Sequence, residues 1–148
     1  MNRITNLLLL LVLSATALAA QTVSGNVLLS WGDATGAIRI PDGVTEIAAN
    51  CFCTPGEEDP YGGGYPSDPV SNTNITSVDL NGVTKIGDNA FNGCTGLKSI
   101  KAPKLESVGS HSFEGCTALE ALELPMIKTI GERAFENANA LTTLSLGK

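Results

Sequence analysis

Apolar residues recur at one fixed spacing through the second half of the chain. Four aliphatic residues begin successive copies of a 22-residue pattern: Ile75, Leu97, Leu119 and Leu141. Three phenylalanines keep the same interval: Phe91, Phe113 and Phe135. A fixed period of this length is typical of a solenoid, because each unit is too small to bury its own apolar face and packs against its neighbours. The pattern therefore predicts three 22-residue repeats and a partial last repeat in residues 75–148.

Each repeat begins with alternating apolar positions, as in Leu119-x-x-Leu122-x-Leu124. This alternation predicts a short strand with one side facing inward. Successive strands should stack as a parallel sheet, because every connection between them runs in the same direction. A turn and a second apolar pair follow, for example Leu105 and Val108.

A glycine follows the second apolar pair of each repeat: Gly87, Gly109 and Gly131. We expect these glycines at positive φ, where a residue without Cβ is favoured. The residues after them, Asp88, Ser110 and Glu132, would open a single helical turn that carries the phenylalanine. Gly93 and Gly115 would end that turn.

The run V-T-K-I-G-D-N-A-F-N-G-C-T-G-L (83–97) resembles the leucine-rich repeat of BspA-type bacterial surface proteins. The resemblance covers roughly residues 27–148, and departs at Asn137-Ala138 and at an insertion in the first unit. It implies a short right-handed leucine-rich-repeat solenoid, with a parallel β-sheet on one face and turns or short helical turns on the other. It also implies a non-catalytic, adhesin-like module that binds an extracellular protein or glycan.

Residues 1–20 have the pattern of a secretory signal peptide. Arg3 precedes an apolar run from Leu7 to Leu13, and Ala17-Leu18-Ala19 forms a small-x-small cleavage site. The run is too short to span a hydrocarbon core of about 30 Å. We therefore expect a mature chain that is secreted or displayed at the cell surface, with the periplasm as an alternative, and that does not insert into a membrane.

Residues 21–53 are predicted to form an N-terminal capping hairpin and the first repeat. Two apolar runs, 27–29 and 37–40, flank the turn-rich segment 32–36 and would form the hairpin. Trp31 is predicted to cover the open end of the core, because solenoid ends need a modified unit. A tryptophan that stacks on a ligand is the alternative.

An insertion rich in proline, glycine and acidic residues occupies residues 54–74. Long loops without structure of their own are usually functional or disordered, so we keep two hypotheses, a flexible excursion and a recognition loop. In the second, Tyr61 and Tyr65 are aromatic anchors for a partner. The acidic residues match no EF-hand spacing, and no metal or cofactor is predicted.

The outward strand positions alternate in charge along the stack: Arg39, Asp79, Lys101, Glu123 and then Ser145. Rungs of a sheet lie about 4.8 Å apart, and opposite charges facing there contribute about 0.2–1 kcal/mol per pair. A solvated ladder is the preferred interpretation, and a ligand surface containing Asp79, Lys101 and Glu123 is the alternative. Two further matched pairs are Glu46 with Lys85 and Glu106 with Lys128. The net charge of -6 disfavours nucleic acid and anionic membranes as partners.

The four cysteines and the single histidine do not form a recognisable reactive site. Cys51, Cys94 and Cys116 are predicted to be buried free thiols, with a Cys94–Cys116 disulfide as the alternative because the two lie one rung apart. Cys53 falls at an outer position and would be the reactive thiol. His111 is expected on the surface, and no zinc-like or catalytic spacing includes it, so the sequence does not predict an enzyme.

The sequence stops shortly after the strand of the last repeat. We therefore expect an uncovered apolar end that carries Leu141, Leu144 and Leu146. This supports a competing hypothesis, a structural or assembly unit that forms a homodimer through its C-terminal end around Leu144.

Overall fold

The computed structural model describes residues 21–54 and 70–147. The predicted signal peptide, Tyr61 and Tyr65 lie outside these residues. In the described part the backbone coils through successive turns, here called rungs. Thirteen strands lie there: β1 (Thr22–Ser24), β2 (Val27–Ser30), β3 (Gly36–Arg39), β4 (Glu46–Ile47), β5 (Cys53–Thr54), β6 (Val70–Ser71), β7 (Ile75–Asp79), β8 (Lys85–Ile86), β9 (Ser99–Lys101), β10 (Ser107–Val108), β11 (Ala121–Leu124), β12 (Thr129–Ile130) and β13 (Thr143–Leu146).

Two sheets face each other across the core. The front sheet has the order β3-β7-β9-β11-β13, and all its strands are parallel. The back sheet has the order β1-β2-β4-β8-β10-β12, parallel except for β1. Val78, Ile100 and Leu122 are aligned partners in consecutive front strands, as the 22-residue period requires. The predicted repeat solenoid with a parallel sheet is confirmed.

The helical turn predicted after each glycine does not form in the described residues. His111 has a φ of 56°, and the equivalent Asn89 and Arg133 have φ values of 56° and 54°. A positive φ interrupts a right-handed helix, which needs φ near −60°. The backbone N–H groups here bond across rungs instead, as from Phe113 N to Ala134 O at 2.8 Å.

The predicted hairpin is misplaced. β2 and β3 lie in different sheets, so segment 31–35 turns the corner between the back sheet and the front sheet. The antiparallel partner of β2 is β1, and Gly25 turns the chain between them with a φ of 61°. The hairpin therefore extends the N-terminal edge of the back sheet.

Aromatic rings form one column through the core. Ring centroids are 4.4 Å apart for Phe52 and Phe91, 5.2 Å for Phe91 and Phe113, and 5.5 Å for Phe113 and Phe135. Trp31 lies at the N-terminal end of this column, 6.2 Å from Phe52, and packs against the core. This position agrees with the predicted role of Trp31 as an end cover.

The glycines after each second apolar pair are required by close packing against the preceding rung, and not by the predicted positive φ. Gly87, Gly109 and Gly131 do not have positive φ. A Cβ on each would instead lie 2.6, 2.6 and 2.4 Å, respectively, from backbone atoms of the preceding rung. The positive φ falls at Gly93 and Gly115, and in the next repeat Asn137 adopts it at 58°. Asparagine tolerates this conformation, so the replacement of glycine there preserves the turn.

The Asn72 side chain forms hydrogen bonds at the point where the chain returns from the insertion. Its buried Nδ2 donates to the carbonyl oxygens of Gly32 at 2.9 Å and Ala34 at 2.7 Å. Its Oδ1 accepts a hydrogen bond from the backbone N of Asn74 at 2.9 Å. The amide therefore ties the start of β7 to the corner that precedes β3. The sequence pattern did not single out this residue, because it occurs once and outside the repeats.

Candidate binding surface

The outward side of the front sheet carries two parallel columns of side chains. The small-residue column contains Ala37, Ser77, Ser99, Ala121 and Thr143. The charged column contains Arg39, Asp79, Lys101, Glu123 and Ser145. The two columns are neighbours because residues two apart on a strand point to the same face. The predicted surface residues Asp79, Lys101 and Glu123 therefore lie together on one face.

Shallow depressions follow these columns. One is lined by side chains that include Ser77, Ser99 and Lys101, and another by side chains that include Ala121 and Glu123. The small side chains form the floor, while the longer charged side chains stand beside them. Such a surface can receive an extended or flat partner, and it lacks the deep concavity that is typical of a small-molecule site.

The charged column is only partly paired. Lys101 Nζ lies 3.2 Å from Asp79 Oδ2. Arg39 lies opposite Asp79 in register, yet its guanidinium contacts Asp42 at 2.9 Å. Glu123 has no ion-pair partner within residues 21–54 and 70–147. Within the described residues the predicted ladder is therefore a single Asp79–Lys101 pair, with Arg39 turned to Asp42 on one side and the unpaired Glu123 on the other.

Two carboxyl groups on this side of the molecule have lowered pKa values. Partial burial opposes ionisation of Asp79, but the backbone N–H of Asn81 and the ammonium of Lys101 together lower the pKa of this carboxyl. Hydrogen bonds from Arg39 and Asn81 lower the pKa of Asp42. Both groups therefore remain anionic across the neutral range.

The back sheet carries the two matched pairs that the sequence predicts. Lys85 Nζ lies 2.7 Å from Glu46 Oε1, and Lys128 Nζ lies 2.7 Å from Glu106 Oε2. All four side chains are substantially exposed, so each pair contributes at most about 1 kcal/mol. Because these charges are paired within the chain, the back sheet presents less free charge than the front sheet does.

Apolar side chains are exposed on the last rung. Leu144 is 43% exposed, Leu146 49% and Ile130 41%. Their equivalents one rung earlier, Leu122, Leu124 and Val108, are buried. Of the three residues predicted to be uncovered, Leu144 and Leu146 are therefore exposed, whereas Leu141 is half-buried and packs against the core. The exposed leucines are separate from the charged face because Leu144 lies on the inward side of β13.

Comparison with known proteins identifies the repeat. A family model described as a BspA type leucine-rich repeat region, of six copies, matches residues 67–148. The chain belongs to this family. A search of curated protein sequences found no match.

Solved structures of other leucine-rich-repeat proteins share the fold. The T. pallidum leucine rich repeat protein is 21% identical, with a TM-score of 0.58, over 84% of this chain and 67% of that one. A leucine rich cell surface protein from Faecalibacterium prausnitzii A2-165 is 20% identical, with a TM-score of 0.59. That match covers 89% of this chain and 44% of the other, so this chain spans less than half the length of that relative.

The cysteines of this leucine-rich-repeat chain are all free and buried. The predicted burial of Cys51, Cys94 and Cys116 is confirmed, and the alternative disulfide is not formed. Burial raises the pKa of the Cys51 and Cys116 thiols to about 12, and it also raises that of Cys94. The Cys116 thiol donates to Phe91 O at 3.2 Å.

The predicted exposure of Cys53 is wrong. Only 5% of this residue is accessible, and burial raises the pKa of its thiol. Its thiol lies 3.7 Å from Asn89 O and 4.0 Å from Asn92 O of the next rung, and strand β6, which returns from the insertion, pairs antiparallel with β5. The period could not reveal this contact, because the other repeats lack the insertion.

His111 lies at the corner of its rung. Its Nδ1 lies 2.6 Å from Glu114 Oε2, and the Asn92 amide donates to the same oxygen at 3.4 Å. Among the described residues no group of histidine, cysteine or carboxylate side chains has the arrangement of a metal site. Within those ranges no helix has the length and hydropathy needed to cross a bilayer.

Proposed function

We propose that this leucine-rich-repeat protein is an exported, non-catalytic, adhesin-like module that binds an extracellular protein through its front sheet. The unpaired charge beside the small-residue column is the observation that supports this role most strongly. The signal-peptide pattern of residues 1–20 supports export. The Faecalibacterium relative, a cell surface protein by name, supports the same location for this chain.

A protein partner fits the front sheet better than a glycan does. The charges alternate in sign from rung to rung, and complementary charge gives protein interfaces their orientation and specificity. The described part of the front face carries no aromatic side chain, whereas the tightest interfaces use aromatic anchors. Tyr61 and Tyr65 of the insertion remain the proposed anchors for a protein or, as the alternative, a glycan.

The test is a binding assay against immobilised extracellular proteins and polysaccharides, with residues 21–148 as the analyte. The paired exchange Lys101→Glu with Glu123→Lys reverses the front charges and preserves net charge. The matched control, Glu46→Lys with Lys85→Glu, does the same on the back sheet. We expect only the front exchange to weaken capture, by at least about tenfold. Equal capture by both variants would refute a role for the front sheet.

A second variant tests the insertion. Thr54 and Val70 are aligned antiparallel partners, so residues 55–69 can be replaced by Asn-Gly, which suits a two-residue hairpin turn. Retained stability with lost capture would support the tyrosine anchors, and unchanged capture would exclude them.

Assembly through the C-terminal end is the second candidate function. It is favoured by the exposure of Leu144, Leu146 and Ile130, because exposed apolar surface marks interaction sites. Light scattering of residues 21–148 across a concentration series provides the test. A dimer that dissociates on Leu144→Lys would support this assembly, and a dimer unaffected by Leu144→Lys would exclude it.

A further inference from the structure

Two neighbouring rungs of the front sheet carry opposite charge. Lys101 lies on the outward side of β9, and Lys98 immediately precedes that strand; the two are here called the lysine band. Glu123 and Glu120, here called the glutamate band, stand in the same way on the outward side of β11 and immediately before it. All four residues are exposed. Of the four, Lys101 alone has an ion-pair partner among the described residues, namely Asp79.

The two bands lie in register. Lys101 is the aligned partner of Glu123, and Ser99 is the aligned partner of Ala121. The backbone N of Glu120 donates to Lys98 O at 3.3 Å, which continues the same alignment. The bands therefore run side by side, about 4.8 Å apart, at the same positions along the strands.

We propose that the front sheet of this chain docks against the front sheet of a second copy. The two-fold axis lies in the contact plane, parallel to the strands, between β9 and β11. This inference rests on the front sheet being the binding surface proposed above. A two-fold axis in this position reverses the rung order, so the lysine band of each copy faces the glutamate band of the other. Such a contact is self-complementary and closed.

The small-residue column allows the two faces to approach. The same axis places Ser99 opposite Ala121 of the second copy, and Ser77 opposite its Thr143. None of these side chains is large enough to hold the sheets apart. Docking without the reversal would place lysine against lysine and glutamate against glutamate, and this repulsion selects the reversed arrangement.

The expected dimer is weak. Four rungs at about 4.8 Å and strands of about 15 Å give a footprint of about 300 Å² on each copy, below the range of stable interfaces. The net charge of -6 also opposes association of two copies. The contact should therefore form at high local concentration and should weaken as salt screens the bands.

The decisive experiment uses charge-exchanged variants of residues 21–148 in sedimentation equilibrium. Lys98→Glu with Lys101→Glu makes both bands negative, and Glu120→Lys with Glu123→Lys makes both positive. Each variant alone should associate at least about tenfold more weakly than wild type, whereas an equimolar mixture should form a heterodimer. The fourfold exchange of all these residues keeps the net charge and should restore the homodimer.

Two controls separate this contact from the alternatives. Glu46→Lys with Lys85→Glu exchanges a back-sheet pair and should leave association unchanged. Lys98→Glu alone keeps the Asp79–Lys101 pair, so weaker association of this variant cannot come from loss of that pair. Circular dichroism of every variant verifies the fold.

The proposal is overturned if the wild-type chain stays monomeric at millimolar concentration, because a dissociation constant of about 1 mM is the weakest expected of such a contact. A dimer that is lost in Leu144→Lys but retained in the band-exchange variants also overturns the proposal, because the C-terminal end is then the interface. A monomeric chain whose capture on the extracellular panel still depends on Lys101 and Glu123 refutes self-association while the proposed function stands. If the charge exchanges change neither self-association nor capture on the extracellular panel, both the dimer and the proposed binding function of the front sheet are refuted.

Discussion

Replacement of Gly109 by alanine should destabilise the solenoid by about 3 kcal/mol, because this glycine lies against the rung before it. A Cβ at this position would lie 2.6 Å from the backbone N of Asp88 and 2.6 Å from the carbonyl carbon of Gly87. Ordinary contacts of a Cβ start near 3.4 Å. The added methyl can be accommodated only if two rungs move apart by most of an ångström.

The size of the effect follows from what that movement disturbs. Insertion of a methyl into well-packed structure costs about 1–3 kcal/mol. Separation of the rungs also stretches two hydrogen bonds, from Gly109 N to Ile86 O at 2.8 Å and from Ser110 N to Asp88 Oδ1 at 2.7 Å. Each contributes about 1 kcal/mol, and partial relaxation recovers some of the total.

Urea and thermal unfolding of residues 21–148, followed by circular dichroism, measure the loss. For a chain of this size a 3 kcal/mol change lowers Tm by about 10 °C. Gly82→Ala is the matched control, because a Cβ there meets only Val44 O, at an ordinary 3.6 Å. We expect that variant to stay within about 0.5 kcal/mol of wild type.

Gly109→Asn distinguishes close approach from backbone conformation. A requirement for positive φ would allow asparagine, as it does at Asn137, whereas close approach makes asparagine at least as damaging as alanine. If the Gly109→Ala and Gly82→Ala variants have the same urea and thermal unfolding midpoints, the steric reasoning is wrong.

Three further predictions concern the core and its corners. Asn72→Ala removes two hydrogen bonds to buried backbone carbonyls and should lower the free energy of unfolding by about 2–3 kcal/mol; a loss under about 0.5 kcal/mol in urea titration would contradict that role. Leu122→Ala should cost about 3 kcal/mol, whereas Leu144→Ala, at an exposed equivalent position, should cost about 1 kcal/mol or less by the same titration. Burial raises the pKa of Cys51 and Cys116 to about 12, so at pH 8, well below that value, both are protonated and should react with an aromatic disulfide reagent only as fast as the chain opens. Rapid labelling of the native protein, matching that in urea, would contradict this.

The repeat period alone carries most of the fold. Residues 22 apart occupy the same place in consecutive rungs, so the sequence shows which side chains face inward and that strands stack in parallel. The 22-residue spacing of Phe91 and Phe113 predicts that they occupy the same place in consecutive rungs, and their rings stack. The outward positions Asp79, Lys101 and Glu123 were likewise placed on one face by two-residue alternation.

Contacts between segments with no common period were decided only by the tertiary structure. Cys53 is buried where β6 returns from the insertion and pairs with β5, and no other repeat contains a copy of that pairing from which it could be predicted. β2 pairs with β1 instead of β3, since the corner at 31–35 sends the chain to the other sheet. The periodicity of a sequence identifies which residues stack, but the space between rungs depends on how the backbones meet. For that reason the true role of Gly109 became evident only from the tertiary structure.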